Sequence, residues 1–178
     1  RAKAFFQDNV SDTGLHQVVL FLFEMIPASA FVGLYNILKP IRVNDYRDYY
    51  LYKLKLEVLV RSAKAPKHFL LEEIEEYMQR IEWESDYDIK HDLLEILLDG
   101  LYNTSLQDRI EDFISRYIPS ASVYHDIRLS GLAQVADLTE EDRQFIVLTV
   151  INGDVNNKIL ASKVIRNHIA GDEKLLEM

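Results

Sequence analysis

Two His-Asp dipeptides, His91-Asp92 and His125-Asp126, stand 34 residues apart in this 178-residue chain. Imidazole and carboxylate both ligate divalent metals, and a metal so held can convert bound water into a nucleophile at neutral pH. A second constellation suits binding. Residues 42–67 interleave Arg42, Arg47, Lys53, Lys55, Arg61, Lys64 and Lys67 with Tyr46, Tyr49, Tyr50 and Tyr52. Arg and Tyr recur at interface hot spots because they bury much area and still offer polar ends. Arg42, Tyr46, Arg47, Tyr49, Tyr50, Lys53 and Lys55 are therefore the expected partner-binding residues. The only tryptophan, Trp83, lies between Glu82 and Glu84 at a helix end, where a packing anchor is expected rather than a ligand platform. Other chemistries lack their residues. There is no cysteine, hence no disulfide, thiolate nucleophile or Cys-ligated zinc, and no Gly-rich phosphate loop, Gly-x-Ser-x-Gly or His-Glu-x-x-His motif occurs.

The elements that must position these groups read as helices. Ser11-Asp12-Thr13-Gly14 forms a turn or N-cap cluster before the apolar run 15–26, and Phe31, Leu34 and Leu38 recur at helical spacing before Pro40. Leu70, Ile74, Tyr77, Met78 and Ile81 then follow at offsets 0, 4, 7, 8 and 11, opposite an acidic face, which predicts a helix with one buried stripe. Leu106, Ile110, Phe113, Ile114 and Tyr117 repeat the same offsets 36 residues later. A strong apolar helix is expected over 88–102, with Ser85 and Asp88 as its capping pair. Its opening, Asp88-Ile89-Lys90, returns as Asp126-Ile127-Arg128. Thr139 to Asp142 reads as another N-cap, Asn152-Gly153-Asp154 as a turn, and Gly171 as a helix stop.

Residues 50–60 carry two patterns at once. Tyr50, Tyr52, Leu54, Leu56, Val58 and Val60 alternate with polar residues as a half-buried strand would, yet the same stretch fits a helix. The run 45–62 contains no Gly or Pro and is much longer than a strand of about 5 to 6 residues, which favours helix. A strand over 50–60, and with it an α+β fold, is the alternative.

Charge narrows the partners. The net charge of −9 divides into +4 over residues 1–68, −10 over 69–117 and −3 over 118–178. Phosphate backbones are bound by clustered positive charge, so nucleic acid could be engaged only through residues 42–67. No apolar run reaches the roughly 20 residues needed to cross a bilayer. Absence of cysteine suits the cytoplasm or nucleus, and the start at Arg1 rather than Met suggests a piece of a larger protein.

Self-similarity at 36 to 38 residues, one acidic amphipathic helix plus one helix opening Asp-Ile-basic, resembles the HEAT-like repeat family over 66–138. The resemblance implies an all-α α-solenoid of stacked antiparallel helix pairs. The pairs would be 28–62, 66–102, 105–138 and 139–170, with 13–26 as a capping helix, all in one domain spanning 1–178. Asp142 occupies a position where this template wants an apolar residue. Such a scaffold binds a protein or peptide on its concave face, without catalysis, metal or cofactor. Two other resemblances are shorter. The His-Asp dipeptides are similar to those of HD phosphohydrolases, which would make His91, His125, Asp126 and Asp154 metal ligands, although the repeat already accounts for Asp126 as a helix-start acid. Residues 138–159 resemble the start of LuxR-type helix-turn-helix domains, followed only by Lys163, Arg166 and Asn167 as reading residues. A non-catalytic interaction module is the expectation, with an HD-type hydrolase and a nucleic-acid-binding helical domain as alternatives.

Overall fold

A computed structural model describes residues 4, 8, 9, 11–118, 124–135 and 137–168. Among these residues the chain is all-helical and contains no strand. It divides into two compact units, Arg1–Gln107 and Asp108–Met178.

The first unit contains α1 (Thr13–Met25), α2 (Ala28–Leu38), α3 (Asp48–Arg61), α4 (Lys67–Trp83), α5 (Tyr87–Asp99) and a 3-10 turn, Gly100–Tyr102. The helix α3 is its axis, packing against α1, α4 and α5. This settles the ambiguous segment: residues 50–60 are helical, and the strand alternative falls. The cause of the mixed pattern is burial on nearly all sides, since Leu51, Leu54, Leu56, Val58, Leu59 and Val60 are all core residues. A helix whose solvent side is reduced to the narrow strip Tyr50, Lys53, Glu57 and Arg61 shows its 3.6-residue period only weakly. By contrast α4 keeps its acidic face in water and buries Leu70, Ile74, Tyr77, Met78 and Ile81, the stripe its spacing predicts.

Helix starts follow local chemistry. The Asp12 carboxylate accepts the Gly14 N–H at 2.8 Å and the Leu15 N–H at 3.4 Å, satisfying donors that have no partner inside the first turn. The cap of α5 is Asp86, which accepts the Ile89 N–H at 3.1 Å, and not the Ser85 and Asp88 pair. At the end of α1, the Lys64 ammonium donates to the carbonyls of Glu24 and Ile26, a cation where the helix dipole is negative.

The second unit contains α6 (Gln107–Tyr117), α7 (His125–Leu132), α8 (Glu140–Asn152) and α9 (Val155–His168). Helix α6 buries Ile110, Phe113 and Ile114. The α7 helix ends at Leu132, short of residue 138 where the third expected pair closes, and residues 119–123, like Gly171, lie outside the described residues. Leu129, Leu132, Leu138, Phe145, Ile146, Ala161 and Val164 form the core shared by α7, α8 and α9. The turn at Gly153 is tight: a Cβ there would stand 2.6 Å from the Thr149 carbonyl, so a side chain could not fit without moving backbone.

Position 142 is where the repeat template wants an apolar residue, and the acid found there is buried. Asp142 accepts from the Arg128 guanidinium at 2.6 Å, while Arg128, only 4% exposed, also donates to the Ile118 carbonyl at 2.6 Å. The same carboxylate closes a capping box, accepting from the Thr139 N–H at 3.1 Å and its hydroxyl at 2.6 Å. The echoed triplets therefore share their helix-start acid and diverge at the basic residue. Lys90 donates to the Glu82 carbonyl at 3.2 Å, whereas Arg128 is part of the core.

Candidate functional site

The seven expected partner-binding residues have three different fates. Lys55 is 2% exposed and donates to the Ile41 carbonyl at 2.6 Å, so it is a core group and presents nothing to a partner. Burial, reinforced by Arg42 and opposed by Asp48, pushes its ammonium down to about 8. Tyr49 and Lys53 are half-buried and engaged within the chain. Both converge on one Asp92 oxygen, each at 2.8 Å, and the Lys53 ammonium also lies 5.4 Å from the Tyr49 ring centroid. Arg47 is held by Asp45 at 2.8 Å. Arg42, Tyr46 and Tyr50 remain on the surface.

Asp92 is accordingly a half-exposed acid with two partners on α3. Partial burial acts to raise its pKa, but the hydrogen bonds from Lys53 and Tyr49 outweigh it and the net shift is downward. With His91 and Glu95 it forms a cluster whose ligand atoms lie within 4.8 Å of one another. An ammonium already seated on the central carboxylate opposes a second cation there. Among the described residues this is the one cluster of three or more such ligands, and His125, Asp126 and Asp154 do not form another. His91 lies in the first unit and the other three in the second. The ring of His125 packs edge-on to Phe145, with centroids 5.3 Å apart, and Asp154 accepts the Asn157 N–H at 2.9 Å at the start of α9. That helix exposes Val155 and Ile159 together with Lys163 and Arg166.

Trp83 overturns its expectation. It is 84% exposed and anchors nothing. It stands at the rim of a cleft of about 300 Å³ whose other walls come from Lys39, Arg42, Tyr52, Glu76, Tyr77, Gln79 and Arg80. Helix α4 supplies Glu76, Gln79, Arg80 and Trp83, neighbours on one face at spacings of three and four. Helix α3 supplies Tyr52, and the Arg80 guanidinium carbon lies over that ring, 3.9 Å from its centroid. Tyr52 in turn packs against Tyr77 at 4.7 Å between centroids, and the Tyr77 and Tyr35 hydroxyls meet at 3.1 Å. The platform beneath Arg80 is thus a stack of buried or half-buried rings. Burial pushes the hydroxyls of Tyr35 and Tyr52 well above the ordinary tyrosine value and that of Tyr77 up to about 12, so the platform is neutral across the physiological range.

Charges around the cleft are unequal in availability. Lys39 bridges Glu73 and Glu76 at 2.9 Å each; burial disfavours its charge, yet the two carboxylates outweigh that and raise its pKa. Arg42 donates to the Lys39 and Ile41 carbonyls at 2.7 and 3.1 Å. Arg80 has no carboxylate partner among the described residues. The same unit also exposes Val18, Phe21, Leu22 and Met25 along α1, an apolar stripe on a helix whose only charged residue is Glu24. Among the described residues no helix is long and apolar enough to cross a membrane.

Of the residues that line this cleft, only Arg42 is among the seven expected partner-binding residues; Tyr52 belongs to the same basic segment but not to the seven, and Arg80 and Trp83 were not expected there. The missed signal was local: an Arg and a Trp three apart at the end of an otherwise acidic helix. No protein-family model, curated protein or solved structure matches this chain.

Proposed function

We propose that this protein is a non-catalytic helical interaction module that binds a peptide or protein segment, and that the cleft at Arg42, Tyr52, Arg80 and Trp83 is its partner site. The observation that carries this reading is the exposed Trp83 beside a guanidinium stacked on Tyr52. Trp, Tyr and Arg are the side chains that dominate interface energetics, and an exposed Trp is a large apolar area left in water until something covers it. The paired offsets of the 67–83 and 107–117 helices support a HEAT-like α-solenoid as the architecture that presents the site.

Peptide display against the full-length chain tests the proposal. Selection should return a convergent family of peptides that Trp83→Ala no longer retains. Peptides that bind that variant as well as the parent chain, or no convergence at all, would refute the reading.

A further inference from the structure

We infer that the cleft recognises a single oxyanion carried on a peptide, with Arg80 gripping the oxyanion and Trp83 covering the apolar side chain next to it. This rests on the partner-site reading above and names its ligand chemistry.

Three observations lead there. The Arg80 guanidinium has no carboxylate partner among the described residues, and its carbon lies over the Tyr52 ring, 3.9 Å from the centroid. Stacking covers one face of a guanidinium and leaves its edge, where the N–H donors lie, free to fork a carboxylate or phosphate. Tyr52 is therefore a positioning residue. Trp83 lies three residues further along α4, on the same side as Arg80 and almost wholly in water. A ligand that satisfies the fork thus places its neighbouring side chain against an indole.

Charge limits the ligand to one anionic group. Glu73 and Glu76 hold Lys39, and α4 itself carries Glu72, Glu73, Glu75, Glu76 and Glu82 against Lys67 and Arg80. An extended polyanion would meet this acidic surround, whereas one oxyanion reaches only the cleft. Nucleic acid is thereby disfavoured, while a carboxylate and a phosphorylated side chain share the required chemistry.

Trp83 is the only tryptophan, so its emission reports on the site without labelling. The full chain should be titrated with a capped peptide of sequence Gly-Gly-Glu-Phe-Gly-Gly, with versions carrying Gln or phosphoserine in place of Glu, and with a 12-nucleotide single-stranded RNA. The Glu or phosphoserine peptide should shift the emission to the blue saturably, and the two separate carboxylate from phosphate as the source. Since a hydrogen bond to a charged group contributes about 1.5–3 kcal/mol, the Gln peptide should bind at least about tenfold more weakly, and Arg80→Glu should lose the Glu peptide by at least as much. Tyr52→Phe keeps the ring and should bind as the parent does, whereas Tyr52→Ala should weaken binding severalfold by releasing Arg80. Equal binding of the Glu and Gln peptides overturns the inference while leaving a peptide-binding cleft standing. RNA binding tighter than either acidic peptide overturns it in favour of a polyanion. No response to any peptide also overturns it, and the display selection then decides separately whether the partner-site reading survives.

Discussion

Among the described residues each unit buries one Lys or Arg, and the two are solvated differently. Lys55, in the first unit, has the Ile41 carbonyl at 2.6 Å and no ion pair with any described residue. Arg128, in the second, has the Asp142 carboxylate at 2.6 Å, the Ile118 carbonyl at 2.6 Å and the face of Phe145 at 5.2 Å. The difference follows from proton chemistry. A lysine ammonium can lose its proton when desolvated, and burial has already brought Lys55 down to about 8. A guanidinium stays charged at every accessible pH, so burying one requires a fixed anion and hydrogen bonds. One unit tolerates its cation by weakening the charge; the other builds a counter-ion into a helix cap.

The sharpest way to break that contrast is Asp142→Ala. It strands the Arg128 guanidinium in the core and opens the capping box, so unfolding of the full chain in denaturant should show a loss of about 3–5 kcal/mol in the second unit. The double change Arg128→Met with Asp142→Leu removes both charges together. It should lose only about 1 kcal/mol, the contribution of the cap. A double variant as unstable as the single one would mean that the ion pair itself, and not its completeness, holds the unit together.

Lys55 predicts the opposite, a pH effect without a partner. In the unfolded chain its pKa is about 10.4, and in the folded chain about 8, so between these values the unfolded state holds the extra proton and stability rises with pH. The cost of the buried ammonium is fully present below about pH 8. Above pH 10 the sign reverses, because Tyr77 is pushed up to about 12 and Tyr35 and Tyr52 are also raised. There the unfolded tyrosines ionise first and stability falls. Denaturant midpoints across this range should trace a dome near pH 9–10, with a rise on the order of 2 kcal/mol from pH 7. Lys55→Met should flatten the rise and leave the fall, since the Ile41 carbonyl keeps its bond from Arg42 at 3.1 Å.

These two cations also mark what could be read from the chain. The helices 67–83 and 107–117 were legible because each has a solvent face, which turns burial into a period. Lys55 was read as a surface cation because in a run such as Leu54-Lys55-Leu56 a lysine normally signals water. A helix packed on most of its sides breaks that inference. Asp142 was half legible: the repeat flagged an acid in an apolar position, and only the fold supplies Arg128, fourteen residues earlier, as the reason. The cleft as an assembly was not legible, although Arg42 was named. Arg42 precedes α3, Tyr52 sits within it, and Arg80 and Trp83 close α4, so no fixed spacing joins them and their meeting depends on how α3 packs against α4.

A smaller effect sharpens the second unit's side of the comparison. Thr139 holds the Asp142 carboxylate through its hydroxyl at 2.6 Å and accepts the Asp142 N–H at 3.2 Å. Thr139→Ala removes this support and leaves the guanidinium in place, so it should lose about 1 kcal/mol, well short of the Asp142→Ala loss. A loss as large as that of Asp142→Ala would show that the carboxylate cannot hold Arg128 without the cap.

The smallest expected effect lies at Asp92, which provides the exposed counterpart of both buried cations. Its carboxylate pairs with Lys53 at 2.8 Å, as Asp142 does with Arg128, but both side chains keep water on one side. An ammonium that stays hydrated does not depend on its counter-ion, and exposed pairs contribute roughly 0–1 kcal/mol. Asp92→Asn retains an acceptor for Tyr49 and Lys53 and should change the denaturant midpoint by less than about 0.5 kcal/mol, with the difference shrinking further in salt. It also removes the charge that, after burial, holds the Tyr49 hydroxyl up, so Tyr49 should titrate at lower pH by absorbance. A loss approaching that of Asp142→Ala would mean that water does not reach the Lys53 pair, and the division between protected and exposed cations in this protein would have to be redrawn.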